Sequence, residues 1–239
     1  MWMICKKEWQ QFFSSLTGYI AIIVFLLVNG FILFVFENNI FSFGYASLDK
    51  FFQLAPWILL FLIPAITMKS FSDEFKTGTY EVLETLPLST RQIVIGKFLG
   101  NLLVALVALI PSFIYIISIQ QLSAGTGLDF GATIGSYIGL FFLQAVFTAI
   151  GIFISSFTNN AVIAFILSVI SCALLYYGFN AISKLPFLMG GADYYIAMAG
   201  IDFHYSNISR GVIDSRDVIY FISIILLLLL FTERKLSIK

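Results

Sequence analysis

Charge is what this sequence has least of. Lys, Arg, Asp and Glu make up 11% of its 239 residues, against 60% hydrophobic residues and a mean hydropathy of +0.98. Soluble domains carry roughly 25% charged residues, so the solvent for most of this chain is lipid. The formal net charge is zero, which leaves neither a basic footprint for nucleic acid nor an acidic tail. Cysteine is nearly absent: Cys5 lies near the N-terminus and Cys172 inside an apolar run, too few and too separate for a disulfide framework. The single histidine, His204, has no neighbours at ligand spacing. It reads as a polar loop residue, and neither a metal nor a cofactor is expected. Polar and apolar residues also do not alternate, as barrel strands would require, so the backbone must be satisfied within helices. The fold class is all-α integral membrane.

The apolar runs are long enough to cross a bilayer about six times. The spans are expected at about 18–36, 51–68, 98–119, 132–157, 161–181 and 213–232. Before them, Trp2, Cys5, Trp9, Phe12, Phe13 and Leu16 recur at helical spacing, with Lys6, Lys7, Glu8, Gln10 and Gln11 placed on the other face, which predicts an interfacial helix over 2–16. The first span is too long for a signal peptide and no small-residue cleavage site follows at Glu37-Asn38-Asn39. Pro56 and Pro64 should bend the second span unless neighbouring helices satisfy the carbonyls they free. The last run is short for a crossing and must borrow residues such as Ile213.

Basic residues set the orientation. One side collects Lys6, Lys7, Lys69, Lys76, Arg91, Lys97, Arg234, Lys235 and Lys239; the other has Lys50, Lys184, Arg210 and Arg216. Both termini are therefore expected in the cytoplasm, with 69–97 as the main cytoplasmic segment and 183–217 as the main external loop.

Ionisable residues are absent from the spans except near their ends, which argues against coupling to an ion gradient. The polar residues left to line a pathway are Asn29, Ser112, Tyr115, Gln144, Thr148 and Tyr176; such residues are more often interhelical glue. The only Gly-Lys pair, Gly96-Lys97, has Arg91 where a phosphate loop needs Gly and Phe98 where it needs Ser or Thr, so the chain cannot hydrolyse ATP unaided. No catalytic residue emerges, and the chain is not an enzyme. Gly131, Gly135 and Gly139 share one helix face and let another backbone approach closely, within the chain or between subunits.

The most informative stretch runs from Ser70 to Gln92. Tyr80, Leu83 and Leu86 fall on one side of a short helix, Glu81 and Glu84 on the other, and Pro87 ends it. Ser89 with Gln92 forms a capping box that starts the next helix. The reading is an amphipathic helix held against two membrane helices.

Phe75-Lys76-Thr77-Gly78-Thr79-Tyr80-Glu81-Val82-Leu83, Leu86-Pro87-Leu88-Ser89 and Ile93-Val94-Ile95-Gly96-Lys97 resemble the ABC-2 class of ATP-binding-cassette transporter permeases. Leu54 to Trp57 with Pro64 to Met68, Gly131 to Leu140, and Ser209 to Tyr220 are similar to the gliding-motility-associated (Gld) permeases of that class. The resemblance covers nearly the whole chain and implies one transmembrane permease domain over 1–239, type V exporter-like, in a bacterial inner membrane. It implies an ABC ATPase subunit carrying the ATP and Mg, a second permease as homo- or heterodimer, and a companion subunit with a large external domain. By the same carry-over, Glu74 to Pro87 is the coupling helix, with Glu74, Gly78, Thr79, Tyr80, Glu81, Leu83, Glu84 and Pro87 meeting the ATPase, and 2–16 is the connecting helix. A structural assembly component of a membrane machine is the alternative.

Overall fold

The computed structural model describes residues 1–35, 47–123, 127–186 and 191–237. The expected end of the first span at Phe36, the Glu37-Asn38-Asn39 stretch, part of the 183–217 loop and Lys239 lie outside them. In chain order the elements are α1 (Trp2–Phe13), α2 (Leu16–Phe34), α3 (Asp49–Thr67), α4 (Lys69–Thr77), α5 (Thr79–Glu84), α6 (Thr90–Leu109), a 3-10 turn (Ile110–Ser112), α7 (Phe113–Leu122) and α8 (Phe130–Ser155). There follow α9 (Ala161–Ala173), a π-helical turn (Leu174–Gly178), α10 (Phe179–Ser183), α11 (Ala192–Met198), α12 (Ile201–Ile208) and α13 (Ser215–Ser237). No strand occurs among the described residues.

Five helical runs are long and apolar enough to cross a membrane: Asp49–Thr77, Thr90–Leu122, Phe130–Ser155, Ala161–Ser183 and Ser215–Ser237. A sixth arises if α1 and α2, bent by 71° where they join, count together. Several helices overrun the apolar runs that mark them. The second continues through Met68 to Thr77, the third begins at Thr90, and the last reaches Ser237. Polar helix formers carry the backbone past the hydrocarbon edge, so helix ends and membrane ends differ.

α8 is the centre of the bundle, packed by α3, α6, α9 and α13. Small residues make this possible. A Cβ on Gly151 would fall 2.0 Å from the Thr67 hydroxyl, one on Gly135 2.8 Å from the Gly211 Cα, and one on Gly139 3.1 Å from Ile208. Gly135 and Gly139 thus receive α12 and the turn after it, so the close approach they permit is made within the chain. Gly131 is exposed and meets only Asp129. Within the 183–217 segment, α12 buries Ile201, His204, Tyr205 and Ile208.

Pro56 and Pro111 are accommodated by other donors to the carbonyls they free. Pro56 lacks the N–H that would bond the Phe52 carbonyl, and the Tyr205 hydroxyl donates to that carbonyl instead, at 2.6 Å. Pro111 frees the Val107 carbonyl, which accepts from the Ile110 N–H as the helix tightens into the 3-10 turn. Tyr205→Phe should therefore leave a buried carbonyl without a donor and lower stability by about 1–3 kcal/mol. Adding Pro56→Ala supplies the missing N–H, so the double variant should recover most of the loss in a detergent unfolding assay.

Candidate functional site

At the end of the bundle where α1 and the last turns of α13 lie, Ile4, Phe71, Tyr80, Ile93, Val94 and Leu236 form a hydrophobic cluster separate from the main core. α1 reaches it by lying on two glycines of α6. A Cβ on Gly96 would meet Ile4 and the Met1 carbonyl at 3.0 Å, and one on Gly100 would meet the Glu8 Cβ at 2.8 Å. This Gly-x-x-x-Gly pair lets the two backbones approach closely and puts Glu8 beside Lys97 and Asn101.

Glu8 was expected on the polar face of α1 with Lys6 and Lys7. It lies on the buried face with Ile4 and Cys5, at the spacing of one helical turn, and is 7% exposed. Its charge is met by Lys97, which has no solvent exposure. The Lys97 ammonium donates to Glu8 Oε1 at 2.8 Å and to the Ser70 carbonyl at 2.5 Å, and pairs with Glu74 Oε1 at 2.9 Å. Those three acceptors match its three protons. It also lies 4.9 Å from the centre of the Phe71 ring. Asn101 Nδ2 donates to Glu8 Oε2 and to Ser70 Oγ, both at 3.2 Å. Lys7 closes the network from the solvent side, 2.6 Å from Glu74 Oε1.

Two lysines and two glutamates balance, so the buried cluster is neutral. At contact distance and an effective dielectric near 20 each of the two Lys97 pairs attracts by roughly 5 kcal/mol, about what desolvating the ions costs, while the half-exposed Lys7 adds less. The cluster therefore adds little net stability, but it allows one relative position of α1, α4 and α6.

In front of this network stands the segment expected to be one coupling helix over Glu74–Pro87. The structure divides it. Glu74 to Thr77 end α4, which runs on directly from α3, and Gly78 turns the chain in the left-handed conformation, at φ 71°. The short α5 starts at Thr79, whose hydroxyl meets that of Thr77 at 2.9 Å. Gly78 has nothing within 4 Å of its Cβ position, so its requirement is backbone conformation. Tyr80 is buried on Phe71 and Phe75, with ring centres 6.2 and 5.0 Å away. Burial first, and then the charges of Glu84 and Glu74, push its hydroxyl up to about 12. Leu83 packs partly into the same cluster. Glu81, Val82, Glu84, Leu86 and Pro87 face outward, with Val82 63% and Leu86 45% exposed. Leu86 was expected beside Tyr80 and Leu83; α5 ends at Glu84 and the chain turns before Leu86 reaches that face. Glu74, expected on the outer surface, faces inward.

The six polar residues expected along a pathway are all buried. Tyr115 donates to the Leu26 carbonyl at 2.7 Å, Gln144 to the Ala105 carbonyl at 3.2 Å, and Ser112 lies 3.0 Å from the Tyr137 hydroxyl. Asn29 bonds the Phe25 carbonyl within its own helix. Tyr176 packs against Tyr177 in the π-helical turn. Thr148 has no hydrogen-bond partner among the described residues.

His204 is not a polar loop residue. It is buried, its Nδ1 2.5 Å from Asp217 Oδ1 and its Nε2 2.8 Å from the Met198 carbonyl, and its ring stacks on Tyr220 at 3.8 Å. The partner carboxylate sits in the first turn of α13, so the pair joins α12 to α13 at the far end of the bundle.

Sequence reasoning missed Glu8, Ser70, Lys97 and Asn101. Two signals were available: a carboxylate at Ile4+4 on the apolar side of α1, and Gly96 and Gly100 flanking Lys97. Removing the central cation should expose their coupling. Lys97→Met should destabilise by about 3–5 kcal/mol, because it strands buried carboxylates. Adding Glu8→Gln should recover part of that, since Lys7 still neutralises Glu74; thermal unfolding of both variants measures the difference.

A family model described as ABC-2 family transporter protein matches residues 2–185. Among curated proteins, none matches the chain.

Proposed function

Because this chain belongs to the family of ABC-2 transporter proteins, and so is a membrane permease component of an ABC transporter, we propose that α5 is the point at which a separate ATPase drives it. The observation that carries this reading is the outward face of α5 and the turn after it, where Val82 and, past the helix end, Leu86 stand exposed with Glu81 and Glu84 while Tyr80 and Leu83 anchor the opposite face. An apolar centre with acidic flanks suits a partner groove with a basic rim. ATP and Mg2+ would be held by that partner.

The buried network behind α5 gives the docking face something to push against. A displacement of α4 and α5 by the ATPase would carry Glu74 and Ser70 with it, and through Lys97 would carry α1 and α6. Rigid shifts of packed helices are the kind of change that interfaces convert into two alternative arrangements. By the same reading both termini and α5 lie in the cytoplasm, the membrane is a bacterial inner membrane, and the unit is a homo- or heterodimer with a companion subunit bearing a large external domain. The resemblance of Ser209 to Tyr220 and of Gly131 to Leu140 to the Gld permeases supports a role in gliding motility, as transport or as transmitted force.

Glu81→Arg tests the docking face. Purified from its own membranes in mild detergent, the wild-type protein should bring an ATPase subunit with it. The variant should lose that subunit and at least roughly tenfold of the stimulated ATPase rate, the scale of one reversed interfacial charge pair, while its unfolding temperature stays unchanged. A variant that keeps the partner and the full rate would sink the assignment. ATP-dependent change without any substrate movement would favour an assembly role.

A further inference from the structure

A cleft of about 200 Å3 opens where α1 turns into α2 beside the α3–α4 junction. Its depth is marked by the rings of Trp9, Phe13 and Tyr19, which pack in series at 4.7 and 5.8 Å, the aromatic signature of a membrane–water boundary. One wall is apolar, built from Phe12 of α1, Ala21 of α2 and Ile66 of α3. The opposite wall is polar and belongs mainly to α4 and α1.

The charges on that wall are of two kinds. Glu8 is neutralised by Lys97. Lys69 and Asp73 also line the cleft, one helical turn apart on α4, and among the described residues neither makes an ion pair. The cleft therefore offers one ammonium and one carboxylate, from residues four apart on one helix face. A zwitterion with a phosphate and an amine complements that pair of opposite charges. Gln11 also lines the cleft and adds a carbonyl acceptor to it, which favours a primary amine with N–H groups to donate over a quaternary one.

Size points the same way. At about 200 Å3 the cleft suits a small polar headgroup and lies below the range of drug-sized ligand sites. We propose that this cleft holds the phosphoethanolamine headgroup of a membrane lipid, its amine on Asp73 and Gln11, its phosphate at Lys69, and its acyl chains along the apolar wall of α2 and α3. The occupied site would wedge the joint between the connecting helix and the first span, next to the buried ion network. The inference does not depend on ATPase docking at α5.

The test is native mass spectrometry of the protein released from nanodiscs containing equal parts of phosphatidylethanolamine, phosphatidylcholine and phosphatidylglycerol. The wild type should retain phosphatidylethanolamine over each of the others by roughly tenfold, the size of one charge-assisted hydrogen bond. Asp73→Asn should erase that preference, and Lys69→Ala should lower retention of all three. Gln11→Ala serves as a second probe should Asp73→Asn not fold, and is expected to weaken the preference in the same direction. Equal retention of the three lipids by the wild type, or a preference that survives both Asp73→Asn and Gln11→Ala, would overturn the proposal. Displacement of the bound lipid by soluble glycerophosphoethanolamine at matched concentration would overturn the lipid source and leave a water-soluble ligand.

Discussion

A lysine ammonium without access to water needs three acceptors at hydrogen-bond distance, and Lys97 finds them on two other helices: Glu8 on α1, and Ser70 and Glu74 on α4. That requirement fixes much of what surrounds it. α1 can bring Glu8 close enough only because Gly96 and Gly100 leave no side chain in the way. α4 must continue straight from α3, since a break at Met68 would swing Ser70 and Glu74 out of reach. The chain reverses only afterwards, at Gly78, where positive φ is available at little cost. The hydrophobic cluster of Ile4, Phe71, Tyr80 and Ile93 then seals the ions from water and raises the penalty for separating them.

The rest of the bundle handles polarity on the same terms. In lipid an unpaired carbonyl has no water to turn to, and the departures from regular helix at Pro56 and Pro111 each carry a named partner. Tyr205 supplies the donor that Pro56 lacks, the 3-10 turn at Pro111 shortens its own hydrogen bonds, and Gln144 reaches across to α6. Between these joints the packing of α8 relies on small residues, and van der Waals contact stands in for the hydrophobic effect that lipid cannot provide. The polar joints gather toward the two ends of the bundle. Lys97 and its partners hold one end, and His204 with Asp217 holds the other.

For a permease of the ABC-2 family this distribution has mechanical meaning. Apolar helix contacts slide at small energetic cost, whereas an ion network with every proton satisfied moves as a unit or breaks. α5 sits on the rigid side of that division, anchored through Tyr80 and backed by Glu74. A partner pressing on its outer face would meet a body made of α1, α4 and α6 instead of a hinged loop.

The sequence by itself determined the class: scarce charge, long apolar runs and a GxxxG spacing allow only a helical membrane protein. It also determined the helix start at Ser89, because a capping box is a local interaction between residues three apart. The division at Gly78 was harder to see, since glycine tolerates a helix as well as it ends one. What only the tertiary structure decided were the long-range meetings. Glu8 and Lys97 lie far apart in the chain, and each alone looks like a surface charge near a membrane boundary. His204 likewise looks like a loop residue until α13 brings Asp217 to it. Burial of a charge depends on whether a partner of opposite sign arrives from another helix, and no local pattern records that arrival.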